Sequence, residues 1–266
     1  MEGLERGKID PSVRLGRNVE IGVNVTIGCG TIVYDNVRIG DGTVIGPQCI
    51  LGEPTMAFYR DAAYENPPLS IGADSIIRSG SILYAGSQFG GGLQTGNRVS
   101  IREGARFGHH CRVGTLCDIQ GLCDVGDYSS FHSNVHIGQL SSIGNFVWIF
   151  PYVVLTNDPN PPVGPMVGVR IDDFAAIATM AVILPGIRIG TDALVGAHAL
   201  VRKDVPPEAV VVGNPARQIA TIHDIKSRAD GGAVYPWREH FDRGMPWEEV
   251  GYAAWKAQRK AGHTAR

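Results

Sequence analysis

Asp118 and His136 stand 18 positions apart, and a carboxylate beside an imidazole is an arrangement that serves acid–base chemistry. The carboxylate orients the ring and raises its basicity, so the ring is prepared to accept a proton at neutral pH. His136 closes the segment FHSNVH, so His132 and Asn134 would lie close to the same place. On an exposed surface, such a pair is often an ion pair without a catalytic role. We nevertheless predict a reaction centre at Asp118 and His136, provided that the fold makes these two residues neighbours.

A six-residue repeat supplies the elements that would position this pair. From residue 71 to 154 a large apolar side chain returns at every sixth position, with one exception at Thr95. A helix repeats near 3.6 residues and a strand at 2, so a period of six predicts a β-solenoid whose hexads each form one short strand and a corner. If three hexads close one triangular coil, residues 18 apart stack on adjacent coils, which places Asp118 beside His136.

The same spacing joins His109 to Asp127, at the third position of their hexads. We expect a second His–Asp pair there, and we favour His136 as the base because its hexad also carries His132 and Asn134. The alternative of a solvated surface ladder applies to both pairs.

The repeat extends well beyond its central run. It also covers residues 9–50 and 171–195, so that 26 hexads would build between eight and nine coils. The segments 52–70 and 156–170 break the phase and are rich in proline, which predicts two loop excursions of functional interest. We expect a β-helix domain over 1–218. Residues 219–266 would form a helical or irregular cap, with helices at 219–229 and 246–260, that covers the last coil or walls a ligand site.

Composition limits the classes of function. The 266 residues carry a formal net charge of −2, which gives no support for nucleic-acid binding. No apolar run is long enough to span a membrane, and the N-terminal residues lack the apolar core of a signal peptide, so we expect a cytoplasmic protein without a membrane partner. Four cysteines occupy the small inward position of their hexads, which predicts core packing rather than metal binding. They are Cys49, Cys111, Cys117 and Cys123.

The hexads resemble those of the hexapeptide-repeat acyltransferases. The resemblance is carried by LGRNVEIGVNVTIG (15–28), ILPGIRIGTDALVGAHALVRKDV (183–205) and VVGNPARQI (211–219). It implies a mainly β, left-handed parallel β-helix and a homotrimer that binds acyl-CoA between its subunits. The stretch NVHIGQLSSIGNFVWIFPYVVLTNDPNPP (134–162) is most similar to enzymes that N-acylate an amino sugar on a nucleoside diphosphate, as in O-antigen and lipopolysaccharide assembly.

The resemblance also implies roles for individual residues. Asn134 would lie near the reacting amine and thioester, with Asn157 downstream in the second excursion, although an asparagine also simply suits a corner. Basic residues of the last coils would meet the phosphates of acetyl-CoA or another acyl-CoA. From the residue types, we also expect the acceptor to contact His132, Asn157 and the first excursion, although the first excursion could equally be a contact between subunits. The basic residues of the last coils are Arg188, Arg202, Lys203 and Arg217. The residues of the first excursion that would contact the acceptor are Tyr59 and Arg60.

The second excursion, LTNDPNPPVGPM, contains no histidine. The resembled O-acetyltransferases use a loop histidine to deprotonate a hydroxyl, whereas a sugar amine of pKa roughly 8 is partly neutral at pH 7 and needs less help. The sequence therefore favours N-acylation. The alternative is O-acylation, or acylation of an amine that is not on a sugar. A γ-type carbonic anhydrase with zinc bound by His132 and His136 is less favoured, so we expect no metal.

Overall fold

The computed structural model describes residues 6–263, with side chains described as far as residue 259. Within this range the chain forms a stack of triangular coils whose sides are β-sheets of ten, nine and eleven strands. The helical elements are α1 (Tyr252–His263) and the short 3-10 helices Met56–Tyr59, Ile222–Asp224 and Trp237–Glu239. None of the described helices has the length and apolar composition needed to cross a membrane.

The coils place one short strand after another on each side, and we name the three sides in the order in which the chain reaches them. The first face consists of Arg14–Leu15, Ile32–Val33, Ile50–Glu53, Ile82–Tyr84, Ser100–Ile101, Asp118–Ile119, His136–Ile137, Val154–Leu155, Val182–Ile183 and Leu200–Val201. The second face consists of Glu20–Ile21, Val37–Ile39, Leu69–Ile71, Gln88–Phe89, Arg106–Phe107, Asp124–Val125, Ser142–Ile143, Arg170–Ile171 and Arg188–Ile189. The third face consists of Thr26–Ile27, Val44–Ile45, Ile76–Ile77, Gln94–Thr95, Arg112–Val113, Ser130–Phe131, Trp148–Ile149, Ala176–Ile177, Leu194–Val195, Ala209–Val212 and the antiparallel Arg217–Thr221.

The hexad repeat explains this geometry. In a typical two-residue strand the first side chain points outward and the second is buried, as in Asp118–Ile119 and His136–Ile137. Neighbouring rungs, the successive strands of one face, are joined by main-chain hydrogen bonds. At the corners the backbone adopts the left-handed conformation, for example at Asn134 with φ +60°. The predicted mainly β parallel solenoid is therefore confirmed.

The stack is longer than the eight to nine coils expected from the sequence. The first face has ten rungs because the repeat continues through Leu51, Leu155 and Val201, all of which are buried. A proline follows each of these positions within a few residues, which concealed the continuation of the repeat. Each excursion connects two successive strands of the stack, and the first excursion contains the 3-10 helix Met56–Tyr59.

The C-terminal segment contains less helix than predicted. Residues 219–229 are not a helix, because Arg217–Thr221 pairs with Ala209–Val212 and only one 3-10 turn follows. Pairing with the exposed edge of the third face overrides the local helical preference. The second predicted helix exists but begins at Tyr252, directly after Gly251, whose φ of +78° is incompatible with a helix.

The segment from residue 235 to 259, which we call the tail, packs against the side of the stack. Its Met245 and Trp247 form a second buried cluster with Phe146, at the corner between the second and third faces. An ion pair between Arg238 and Asp192 lies beside this cluster, with both side chains largely buried. The tail therefore braces the flank of the coils.

Candidate active site

Asp118 and His136 occupy adjacent rungs of the first face and are paired in register. The His136 Nδ1 atom lies 3.0 Å from the Asp118 Oδ2 atom. Because an ionised carboxylate only accepts hydrogen bonds, Nδ1 carries the ring proton and Nε2 keeps its lone pair in the neutral ring. The side chains of His136 and Asp118 are 39% and 45% exposed, so a substrate can reach the ring. The predicted juxtaposition is present, with the base oriented.

Gln120 supports the pair from the same rung as Asp118. Its side-chain amide donates to the same Oδ2 atom at 2.8 Å. The hydrogen bond from His136 holds the pKa of Asp118 below its ordinary value, against a smaller effect of burial, and Gln120 and the charge of Arg102 act in the same direction as His136. The carboxylate is therefore ionised at neutral pH. The sequence analysis missed Gln120, although its position two residues after Asp118 places it on the same face.

The second expected pair is not formed. Asp127 accepts a hydrogen bond at 2.7 Å from the main-chain N–H of His109, and the His109 ring accepts one at 3.1 Å from the Gly91 N–H. Asp127 therefore caps a backbone group instead of orienting a ring. One and two rungs higher, the side chains of Asn145 and Asp173 likewise each accept a hydrogen bond from the main-chain N–H of the residue one rung below. This third hexad position therefore forms a structural ladder.

His132, Asn134 and His136 follow one corner of the coil rather than lying on one face. His132 directly follows the strand Ser130–Phe131 of the third face and stacks on Phe150, with ring centroids 4.7 Å apart. Asn134 forms the corner, half-buried, and its main-chain N–H donates to Thr115. Burial lowers the pKa of His132, which favours its neutral form. The two imidazoles thus flank Asn134 from different faces.

Asn157 lies one rung above the pair of Asp118 and His136. Its Cβ atom is 3.1 Å from the point that a Cβ atom on Gly138 would occupy, two residues beyond His136. Its side-chain amide contacts the Met166 sulfur at 3.3 Å, within the second excursion. Asn157 therefore lies close to the backbone of Gly138, at the start of the second excursion, and its role at the site stays a prediction.

Above His136 the first face becomes apolar and then basic. Val154, Val182 and Leu200 stack over His136 in register. Three rungs of about 4.8 Å, about 14 Å in all, separate His136 from Leu200. Arg202, Lys203 and Arg217 line one groove of about 370 Å³ at this end of the stack.

Arg188 is not part of that basic groove. It lies on the second face, where its guanidinium forms an ion pair with Asp172 at 2.7 Å. Of the four cations implied by the resemblance, the structure therefore groups three and separates the fourth.

The first excursion approaches the lower part of the first face. Burial, followed by the charges of Glu53 and Tyr59, raises the pKa of Tyr34, which places Tyr59 in the neighbourhood of that rung. The Tyr59 side chain is otherwise exposed and packs edge-to-face on Phe58. Arg60 is exposed. Tyr59 thus lies near the Tyr34 rung of the first face, below Asp118.

Comparison with known proteins finds several that are named as acetyltransferases. No protein-family model matches the chain. The galactoside O-acetyltransferase of Escherichia coli is 33% identical over 119 residues, which cover 36% of this chain and 59% of that enzyme. The 2,3,4,5-tetrahydropyridine-2,6-dicarboxylate N-acetyltransferase of Staphylococcus aureus is 35% identical over 93 residues, which cover 35% of this chain and 33% of that enzyme. The chain thus spans between a third and about three fifths of these relatives.

Among solved structures, a hexapeptide-repeat acetyltransferase of Vibrio cholerae complexed with acetyl-coenzyme A is 25% identical, with a TM-score of 0.39, and the match covers 42% of this chain and 68% of that one. The named relatives are acetyltransferases, and this chain carries the hexad repeat along three parallel sheets. The chain is thus similar, over about a third of its length, to proteins named as acetyltransferases. Its fold is the left-handed parallel β-helix that the resemblance implies.

The cysteines of this hexapeptide-repeat chain are core residues, as predicted. Cys49, Cys111, Cys117 and Cys123 are at most 1% exposed, and burial raises the pKa of Cys111 to about 12. In the part of the chain that the structure describes, no group of three His, Cys, Asp or Glu side chains is arranged to hold a metal ion.

Proposed function

We propose that this protein is an acyl-CoA-dependent N-acyltransferase, with acetyl as the acyl group, acting on the amino group of a nucleotide-diphosphate-linked amino-deoxy sugar. The observation that carries the proposal is the 3.0 Å contact between His136 and Asp118 beneath an excursion without histidine. A single imidazole that is oriented by a carboxylate and partly exposed to solvent suits an acceptor that is already a good nucleophile. A neutral amine is such an acceptor, whereas a hydroxyl depends on strong base assistance.

The proposed reaction is a direct transfer. The neutral amine nitrogen attacks the thioester carbonyl carbon, a C–N bond forms and the C–S bond breaks. His136 Nε2 accepts the proton that the nitrogen loses, and the departing CoA thiolate is protonated in turn, so that the ring ends as it began. Asp118 stabilises the transient imidazolium through the Nδ1 hydrogen bond. Asn134 at the corner and Asn157 above it are proposed to hold the amine and the thioester oxygen in line.

The proposed donor lies along the upper first face. The phosphates and adenosine of acyl-CoA would meet Arg202, Lys203 and Arg217, and the pantetheine arm would follow the apolar strip down to His136. The separation of about 14 Å between Leu200 and His136 suits an extended arm of that kind. Arg188 is paired with Asp172, so its participation would require that pair to open.

The remaining expectations concern the acceptor and the assembly. The sugar is proposed to lie against the corner at His132 and Asn134. Contacts of Tyr59 and Arg60 with the far end of the acceptor remain predictions. A homotrimer with active sites between subunits, a cytoplasmic location and a role in surface-polysaccharide assembly are likewise proposed from the family resemblance.

O-acetylation is the second candidate, and a specific observation favours it. A histidine oriented by an aspartate is able to deprotonate a hydroxyl, and the relatives include an enzyme named as a galactoside O-acetyltransferase beside one named as an N-acetyltransferase. The two candidates differ in what the acceptor must offer, so they are separated by matched amino and hydroxy acceptors.

The test is thiol release from acetyl-CoA with dTDP-, UDP- and GDP-linked amino sugars, each beside its hydroxy analogue. Rapid turnover of one amino sugar with an inert hydroxy analogue would establish N-acylation. Turnover of the hydroxy analogue alone would establish the O-acylation alternative. Silence with acetyl-CoA, and again with 3-hydroxybutyryl-CoA, would refute the nucleotide-sugar assignment.

A further inference from the structure

A polar groove on the third face lies outside the reaction centre described above. It has a volume of about 370 Å³, within the range of small-ligand sites, and it spans the rungs from Arg78 to Trp148. Four rung steps of about 4.8 Å make it about 19 Å long. Its upper end contains His132, one corner away from His136, so the groove leads toward the reaction centre.

Two guanidinium groups dominate the lower and middle parts of the groove. Arg112 is half-buried and stands in register with Gln94 below it and Ser130 above it, while Arg78 lies further down. Neither arginine side chain has a hydrogen-bond acceptor or a carboxylate within the described part of the chain, and no acidic residue lines the groove there. By contrast, Arg106 on the second face is paired with Asp124. The groove therefore presents unneutralised positive charge.

The tail contacts Arg112, one of the two arginines that line this groove. Gly244 comes so close to Arg112 that a methyl group at Gly244 would collide with the Nη2 atom of the guanidinium. The tail thus limits the directions that the Arg112 guanidinium can take. This contact connects the C-terminal segment to a residue of the groove, in addition to bracing the stack.

The upper end of the groove is aromatic. His132 stacks on Phe150, and its ring centroid lies 6.0 Å from that of Trp148. Guanidinium forks match phosphate oxygens in pairs, and flat aromatic rings accept a nucleobase or ribose. A ligand that combines two phosphates with a ring fits this sequence of groups.

We propose that the groove binds the nucleoside-diphosphate part of the acceptor, with Arg78 and Arg112 on the diphosphate and the base near His132 and Trp148. The sugar then extends around the Ser133–Asn134 corner toward His136. This inference rests on the proposed function for the identity of the acceptor. It assigns the nucleotide to the third face rather than to Tyr59 and Arg60 of the first excursion.

The test is calorimetric binding of inorganic pyrophosphate and of dTDP, UDP and GDP to the full-length protein without acetyl-CoA. We expect the wild type to bind pyrophosphate and one nucleoside diphosphate, more weakly as salt is added. Arg112→Gln and Arg78→Gln should each weaken binding at least about tenfold, because each removes charged hydrogen bonds. Arg14→Gln, an exposed arginine at the far end of the first face, is the matched control and should stay within about twofold.

Three results would overturn the assignment. They are wild-type affinity in both groove variants, a loss of affinity in Arg60→Gln instead, and the absence of any pyrophosphate or nucleotide binding. Acyl transfer to an amino-sugar nucleotide that Arg112→Gln leaves unchanged would refute the groove but keep the function. Nucleotide binding that depends on Arg112 without any acyl transfer would keep the groove and refute the function.

Discussion

The His136 Nδ1 atom lies 3.0 Å from Oδ2 of Asp118, which stands directly one rung below it in the parallel ladder of the first face. The contact follows from the 18-residue spacing and from the outward position that both residues hold in their hexads. Gln120 adds a second hydrogen bond to the same oxygen atom. The carboxylate is thereby held in place by two donors, and it holds the ring in turn.

The first prediction concerns stability and pH. The hydrogen bond from His136 lowers the pKa of Asp118 from its ordinary value of 3.8, so the folded chain binds this proton less readily than the unfolded chain. The ionised carboxylate therefore stabilises the fold above pH 3.8, and this contribution is lost as the pH falls through the lowered pKa. The difference in unfolding free energy between wild type and Asp118→Asn, measured in urea from pH 6 to pH 3, should shrink below pH 3.8. A difference that grows toward pH 3 would contradict this.

The second prediction concerns the donor. Replacing Arg202 or Lys203 by glutamine should raise the KM for acetyl-CoA about tenfold with little change in kcat, because the phosphates lose a charged partner. Acetyl-pantetheine, which lacks those phosphates, should be used equally by wild type and variants. Arg106→Gln, on the second face, serves as the control. An unchanged KM for acetyl-CoA in both variants would move the donor away from this end of the stack.

The third prediction concerns the tail. Trp247 is 1% exposed and its indole N–H donates to Phe241 at 3.0 Å, so Trp247→Ala should lower the free energy of unfolding by about 3–5 kcal/mol. Val250→Ala, at an exposed position three residues later, should change it by less than about 0.5 kcal/mol. Both are measured by urea titration with tryptophan fluorescence. Equal effects of the two substitutions would mean that the tail does not pack as described.

The fourth prediction concerns the thiols. Cys29 is exposed, whereas burial raises the pKa of Cys117 and Cys123 to about 11 and shields them from reagents. An aromatic disulfide reagent at pH 8 should therefore modify one thiol rapidly in the folded protein and five in denaturant. Cys29→Ser should abolish the rapid phase. Several fast thiols in the native protein would show that the inward position of the hexads is accessible.

The sequence was sufficient for the fold because the hexad repeat is strict and local. Each large apolar residue fixes one buried strand position, so the three faces and the Asp118–His136 contact follow from counting. The same count failed for His109 and Asp127, because their third position faces the backbone of the next coil and the carboxylate caps an N–H there. Spacing alone does not reveal which of two polar partners a side chain will choose.

Apart from its last helix, the C-terminal segment could not be predicted, for a different reason. Its conformation depends on long-range partners, such as Asp192 for Arg238 and Phe146 for Trp247, and no repeat links these positions in the sequence. The contact between Arg112 of the groove and Gly244 was missed because the two residues are more than a hundred positions apart. Long-range contacts of this kind become visible only in the folded chain.

The most direct test of the account compares His136→Ala with His109→Ala in acyl transfer to the amino sugar that the panel identifies. In the proposed mechanism His136 accepts the proton of the attacking amine, so its loss should lower kcat about 100-fold without changing the melting temperature. His109, whose ring accepts a backbone N–H on the other side of the coil, should tolerate the same change with full activity. Equal activity of the two variants would contradict a reaction centre at Asp118 and His136.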